Sequence, residues 1–240
     1  MGRVLKGQVA IITGASRGIG KAVATRLAQE GVRLCMVARS RENLAALAKT
    51  LPASEDNYIT IGADVRDEEQ VKNMVESTIS VFGQIDILVN SAGITIFKSL
   101  DETSQEDWDI IMDTNLKGTF LCIKHVVPHM LSRRTGDIVN ISSIAGRQGF
   151  ENSSAYCASK FGVIGLSKAL SLELRKQGLR VITICPGAVD TPLWDSITHP
   201  PDRSKMLQPR DVANMIHDVL AFSDRGVVDE ITVTPPLGVL

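Results

Sequence analysis

The stretch Thr13-Gly-Ala-Ser-Arg-Gly-Ile-Gly20 decides how this chain folds. It follows the short apolar run Gln8 to Thr13, which reads as a strand, and leads into Lys21-Ala-Val-Ala-Thr-Arg-Leu27, which reads as a helix. Glycines at a strand-to-helix turn let the backbone come close to a diphosphate. The phosphate charge then meets the free N–H groups and the positive dipole end of the helix. The spacing is G-x-x-x-G-x-G rather than G-x-G-x-x-G, and Gly14, Ser16, Arg17, Gly18, Ile19 and Gly20 are the residues expected to cradle the phosphates.

Working outward, β-branched runs recur, each followed by a helix-like stretch: Arg33 to Ala38, Tyr58 to Gly62, Ile85 to Asn90, Asp137 to Ser142, Arg180 to Cys185 and Glu230 to Thr234. With the first run they make seven expected strands. Helices are expected over 18–30, 41–50, 67–82, 104–132, 155–176 and 209–222. Strand and helix in alternation imply right-handed crossovers, hence an α/β, doubly wound Rossmann fold: a seven-stranded, mostly parallel sheet with helices on both faces. Ile85-Asp-Ile-Leu-Val89 and Val181-Ile-Thr-Ile184 are nearly continuous apolar runs, as strands covered on both faces should be. No linker or repeat divides the chain, so residues 1–240 are read as one nucleotide-binding catalytic domain. The segment 191–209, with Pro192, Pro200, Pro201 and Pro209, is its expected substrate loop.

Composition narrows the function classes. The 240 residues carry 26 Lys+Arg against 27 Asp+Glu, a net charge of −1 that offers no general field for nucleic acid or an anionic membrane. Cys35, Cys122, Cys157 and Cys185 stand far apart, without paired spacing, which fits a reduced, cytoplasmic setting. No apolar stretch approaches the roughly 18 residues a membrane span needs, and the start of the chain lacks the apolar core of a signal peptide. His125 and His129 are four apart, but Pro128 lies between them and no third ligand suggests itself, so no metal is expected. From Trp108 to Leu131 apolar residues cover more than one helical face. That predicts a second copy of the chain against this helix, as a homodimer or homotetramer.

The second strand ends Val37-Ala-Arg-Ser40, where an NAD site would place Asp or Glu on the ribose 2′-hydroxyl. Here Arg39 and Ser40 stand instead. Arg17 supplies a second guanidinium, and two planar forks suit the 2′-phosphate of NADP(H). Asp64, with Val65 at the end of the third strand, reads either as an acceptor for the adenine amino group or as a turn carboxylate.

Tyr156-Cys-Ala-Ser-Lys160 opens the helix after the fifth strand and sets a phenol and an ammonium four residues apart on one face. A neighbouring cation is expected to pull the phenol below its usual pKa of about 10. Ser142-Ser143 ends the preceding strand at the carboxyl edge, where open α/β sheets bind ligands, so three polar groups are expected to converge over one cofactor. Cys157, beside Tyr156, reads as a packed side chain because adjacent helix residues do not share a face.

Over essentially its whole length the sequence resembles the short-chain dehydrogenase/reductase family. The resemblance is carried by Thr13 to Gly20, Asn90-Ser-Ala-Gly93, Asn115-Leu-Lys-Gly118, Ile141-Ser-Ser143, Tyr156 to Lys160, and Pro186-Gly187 followed by Thr191. It implies that Tyr156 is the general acid of carbonyl reduction, that Ser143, thirteen residues earlier, holds the carbonyl, that Lys160 binds the nicotinamide ribose and that Asn115 supports a proton relay. It further implies that Asn90, Ala92 and Gly93 line the cofactor, and that Pro186, Gly187, Val189 and Thr191 contact the nicotinamide. The implied activity is NADPH-dependent reduction of a carbonyl to an alcohol. A 3-oxoacyl thioester is the first substrate, with small aldehydes, ketones, diketones or 3-hydroxy acids as the alternative. A non-catalytic NADP-binding redox sensor or assembly partner is the reading of another class. An acyl carrier protein is a partner only under the thioester reading, and two features depart from that pattern: the ending Thr234-Pro-Pro-Leu-Gly-Val-Leu240, and Gln177 where a second docking arginine would accompany Arg134.

Overall fold

In the computed structural model, which describes residues 2–195, 197 and 201–238, every expected strand joins one sheet. The strands are β1 (Val9–Thr13), β2 (Arg33–Ala38), β3 (Tyr58–Gly62), β4 (Ile87–Asn90), β5 (Gly136–Ile141), β6 (Leu179–Pro186) and β7 (Glu230–Val233). Their order is β3-β2-β1-β4-β5-β6-β7 and every neighbouring pair runs parallel. β1 pairs with β2 on one side and β4 on the other, so the winding reverses at β1 and opens a crevice beyond its carboxyl end.

The helices are α1 (Gly18–Gln29), α2 (Arg41–Ala48), α3 (Glu68–Phe82), α4 (Gln105–Met112), α5 (Gly118–Arg133), α6 (Ser154–Leu174) and α7 (Pro209–Leu220). Successive strand residues face opposite layers. Ala10, Ile12, Leu34, Met36, Ile87 and Val89 join the core under α1, α2 and α7, while Ile11, Cys35, Val37 and Leu88 join the core that holds Val71 and Met74 of α3 and Leu121 and Val126 of α5. Side chains at the helix starts satisfy orphan donors. Asp67 accepts from the N–H groups of Glu69 and Gln70 at α3, and Ser104 and Asp107 form a reciprocal box at α4.

The single helix expected over 104–132 is broken. Between α4 and α5 the residues Asp113–Lys117 make a π-helical turn, whose extra residue lets Asn115 turn inward. There its amide accepts from the Ile94 N–H (2.9 Å) and donates to the Ile94 carbonyl and the Ser159 hydroxyl (both 3.0 Å). α5 then buries Leu121, Cys122, Val126 and Met130 while Phe120 stays exposed, as do Phe161 and Leu172 of α6.

Charges gather at the amino edge of the sheet. Asp137 is fully buried at the start of β5 and accepts from Arg180 Nε and Nη2 (2.6 and 2.9 Å) and Arg3 Nη1 (2.7 Å). Burial pushes its proton affinity up, to about 7, and Arg3 pulls against that. All three guanidinium contacts need oxygen lone pairs, so this arrangement holds the ionised form. Asp86 accepts from the Val9 N–H, Gln84 and Arg133 at 2.7–2.8 Å.

Candidate active site

The opposite, carboxyl edge opens into a cavity of about 810 Å³. At one end is the turn after β1. Gly14 has φ +66°, and a Cβ there would come within 2.8 Å of the Ala92 backbone, so only glycine keeps β1 and the loop after β4 this close. Thr13 Oγ1 ties the same two segments by accepting from the N–H groups of Ser91 and Ala92. At the start of α1, Arg17 makes no side-chain cap and the first turn holds no acid, so no side chain of that turn competes for its N–H groups, and Ser16, Arg17, Gly18 and Ile19 line the cavity. Gly20 stands behind that lining. A Cβ on it would collide with the Gly14 carbonyl, so its part is to seat the helix on the turn.

Arg39, Ser40, Asp64 and Val65 line the same end. Ser40 caps α2 by accepting from the Asn43 N–H (3.2 Å), which brings Asn43 into the lining, a residue the sequence pattern did not mark. The Asp64 carboxylate takes both Nε and Nη2 of Arg66 and the Arg66 N–H, which holds its pKa below the usual range. The turn-carboxylate role is thus in place. The residues present fit a dinucleotide phosphate: glycine at the close approach, uncapped helix N–H groups and the guanidinium side chains Arg17 and Arg39.

At the other end Ser143, Tyr156 and Lys160 meet. Ser143 closes β5 and accepts from the Ala145 N–H (3.1 Å); Tyr156 and Lys160 lie one turn apart at the start of α6. Lys160 Nζ stands 5.7 Å from the centre of the Tyr156 ring and donates to the Ile141 carbonyl (2.9 Å). Burial moves both groups toward their neutral forms. It drives Tyr156 up to about 12 against the downward pull of Ser143, and Lys160 down to about 8. The acidified phenol expected from the sequence is therefore absent here, because desolvation of the phenol outweighs its neighbours. Asn115 sits one layer back: a Cβ on Gly93 would lie 3.4 Å from Asn115 Oδ1 and 3.7 Å from Lys160 Nζ.

Ala92, Gly93, Pro186, Gly187, Val189 and Thr191 complete the lining near these groups. Thr191 Oγ1 already accepts from the Leu193 N–H and starts a short helical turn. Asn90 is not brought to the cavity. It is buried in β4 and donates to Asn140, which donates to Ser167, a polar thread through the core between β4, β5 and α6. Sequence reasoning missed Ile94, Phe97, Thr114, Phe150 and Glu151, all in the lining. They lie outside the recurrent motifs, and no spacing marked them. Of the expected loop 191–209, Ser196, Thr198, His199 and Pro200 lie outside the described residues; Thr191, Leu193, Trp194 and Pro201 reach the cavity. No helix among the described residues is long and apolar enough to cross a membrane.

Residues 8–202 match the family model described as short chain dehydrogenase. An oxidoreductase of Staphylococcus saprophyticus is 39% identical over 237 residues, covering 96% of this chain and 98% of the relative. A 3-oxoacyl-[acyl-carrier-protein] reductase of Thermotoga maritima is 42% identical over 196 residues, 80% of this chain and 78% of that one. Among solved structures, a metagenomic short-chain oxidoreductase in complex with NADP superposes with a TM-score of 0.85 at 31% identity, covering 97% of this chain and 99% of that one.

Proposed function

This chain belongs to the short-chain dehydrogenase family, and from that premise we propose that it is an NADPH-dependent oxidoreductase that reduces a carbonyl to an alcohol. One observation carries the reading: Ser143, Tyr156 and Lys160 converge at one end of a cavity whose other end is a glycine turn flanked by Arg17 and Arg39. The glycine loop would hold the diphosphate, Arg17, Arg39 and Ser40 the 2′-phosphate, and Asp64 and Val65 the adenine side. Ala92, Gly93, Lys160, Pro186, Gly187, Val189 and Thr191 would hold the nicotinamide half. NADPH, when bound, supplies the hydride that forms the new C–H bond and is oxidised to NADP⁺.

The chain's own residues handle the oxygen. Ser143 donates a hydrogen bond to it and Tyr156 gives it the phenolic proton as the C=O electron pair moves onto it. Burial raises the proton affinity of Tyr156 to about 12, so the phenol carries the proton to be given at neutral pH, and the charge of Lys160 beside it is what lets that proton leave. Lys160 is mostly charged below about pH 8 and steadies the phenolate left behind. Asn115, through the shape of the π-turn, supports the water-linked path that returns the proton.

For the substrate, the likeness to a 3-oxoacyl-[acyl-carrier-protein] reductase favours a 3-oxoacyl thioester, with an acyl carrier protein as partner. A small ketone or aldehyde is favoured by the walls of the cavity beyond Tyr156, which are largely apolar. Residues 191–209 would form its substrate side. Exposed Phe120, Phe161 and Leu172 on α5 and α6 suit a homodimer or homotetramer, and sedimentation showing only a 26.0 kDa species would exclude both. The function itself is tested by following oxidation of NADPH, with NADH in parallel, against an acetoacetyl thioester, diacetyl and simple aldehydes. Turnover lost in Tyr156→Phe with NADPH binding retained is the expected result. No oxidation with any carbonyl, NADPH still bound, would point to the sensor reading.

A further inference from the structure

Resting on the carbonyl-reductase reading, we propose that the substrate is an uncharged ketone carried on a flat ring, and that Phe97 and Trp194 select it. Three aromatic rings run outward from the reacting phenol. Phe97 lies 6.5 Å from the Tyr156 ring at an interplanar angle of 40°, and Trp194 lies 6.0 Å from Phe97, nearly parallel at 19°. They come from three separate parts of the chain: α6, the loop after β4 and the turn after β6. Both added rings line the cavity. Trp194 is held by its polar edge, since Nε1 donates to the Val189 carbonyl (2.9 Å), which fixes the indole plane and leaves its apolar surface for contact. Phe97 is 37% exposed although it is a large apolar side chain, so its surface is available to a ligand rather than spent on the core.

A flat ring set along this row meets ring partners at the spacings aromatic pairs favour, about 4.5–7 Å between centres. Ile94, Phe150 and Leu193 extend the apolar wall. Charge argues the same way. The cationic lining residues Arg17 and Arg39 belong to the glycine-turn end, and beyond Tyr156 and Lys160 the ionisable side chain among the described lining is Glu151. A phosphate-bearing thioester arm would meet this carboxylate, and the nearby Arg203 guanidinium, which donates to the Thr191 carbonyl, is already taken by Asp190 and Asp195, whereas an uncharged ring is indifferent to both.

The test compares kcat/KM with NADPH for acetophenone, 2-butanone and acetoacetyl coenzyme A. Acetophenone is expected to exceed the other two by about tenfold or more. Phe97→Ala or Trp194→Ala should lower the acetophenone to 2-butanone ratio roughly tenfold, while Trp194→Phe, which keeps a ring, should hold most of it. Glu151→Gln should raise the use of acetoacetyl coenzyme A relative to acetophenone. Binding is read separately in Trp108→Phe, which leaves Trp194 as the sole tryptophan of the two in the chain. Its fluorescence should change saturably with 1-phenylethanol and not with 2-butanol at equal concentration. Acetoacetyl coenzyme A as the best substrate, or a ratio untouched by removing either ring, would overturn the proposal. No NADPH oxidation with any of the three, with Trp194 still responding to 1-phenylethanol, would break the reductase reading and leave ring selection standing. Loss of both signals would end both.

Discussion

The two edges of one sheet treat buried charge in opposite ways. At the amino edge Asp137 lies between two arginines and Asp86 accepts from three donors, so each carboxylate is matched before it is buried. At the carboxyl edge Lys160 is equally buried, yet among the described residues its ammonium has a single carbonyl for a partner, and Tyr156 is desolvated near it. Burial shifts groups at both edges, Asp137 up to about 7, Tyr156 up to about 12 and Lys160 down to about 8, but the amino edge answers its carboxylates with guanidinium groups, while the carboxyl edge leaves the phenol and the ammonium lining a cavity.

This contrast can be broken by experiment. Tyr156→Phe should lower kcat by about 10²- to 10⁴-fold and leave NADPH binding in place, read by turnover beside a binding titration; a smaller loss would remove the carboxyl edge's acid. Asp137→Asn should cost about 3 kcal/mol in urea unfolding, because Arg180 and Arg3 would face an amide, and a change under 1 kcal/mol would deny that the amino edge is structural. Lys160→Met should move the other way, gaining about 2 kcal/mol near pH 7 while turnover is lost. The sign follows from the lowered pKa. Below about pH 8 the folded protein carries an ammonium that the unfolded chain hydrates better, and the penalty fades between 8 and 10.5 as the unfolded lysine also loses its proton. The advantage of the methionine variant should therefore narrow across that window; a constant difference would show that burial does not penalise Lys160. Arg39→Asp should weaken NADPH about tenfold more than NADH by titration, and equal weakening would remove the 2′-phosphate role. The smallest effect is a fall of a few-fold in reduction rate as pH passes about 8 and Lys160 loses its charge. A profile flat to pH 10 would count against that group.

Much of this was legible in advance where the signal is local. The strand runs, the turn at Gly14 and the Tyr156–Lys160 spacing each reside in a few consecutive residues, and the sheet followed from their alternation. Asn90 misled, because its place at the end of β4 looks like a cofactor contact, while its side chain points into the core toward Asn140. The break at Asp113–Lys117 was hidden because the apolar pattern from Trp108 to Leu131 continues through it; what opens the helix is the pull of the Ile94 backbone and Ser159 on one amide, and neither neighbour is near in sequence.

By itself the sequence determined the order of elements, the parallel winding, the glycine turn after β1 and the candidate side chains Tyr156 and Lys160, since periodicity, glycine placement and i to i+4 spacing act over one strand or one helical turn. Only the tertiary structure decided the state of those side chains and the company they keep. The raised Tyr156, the lowered Lys160 and the row Tyr156, Phe97 and Trp194 arise from desolvation and from contacts between segments far apart along the chain, which no local pattern encodes.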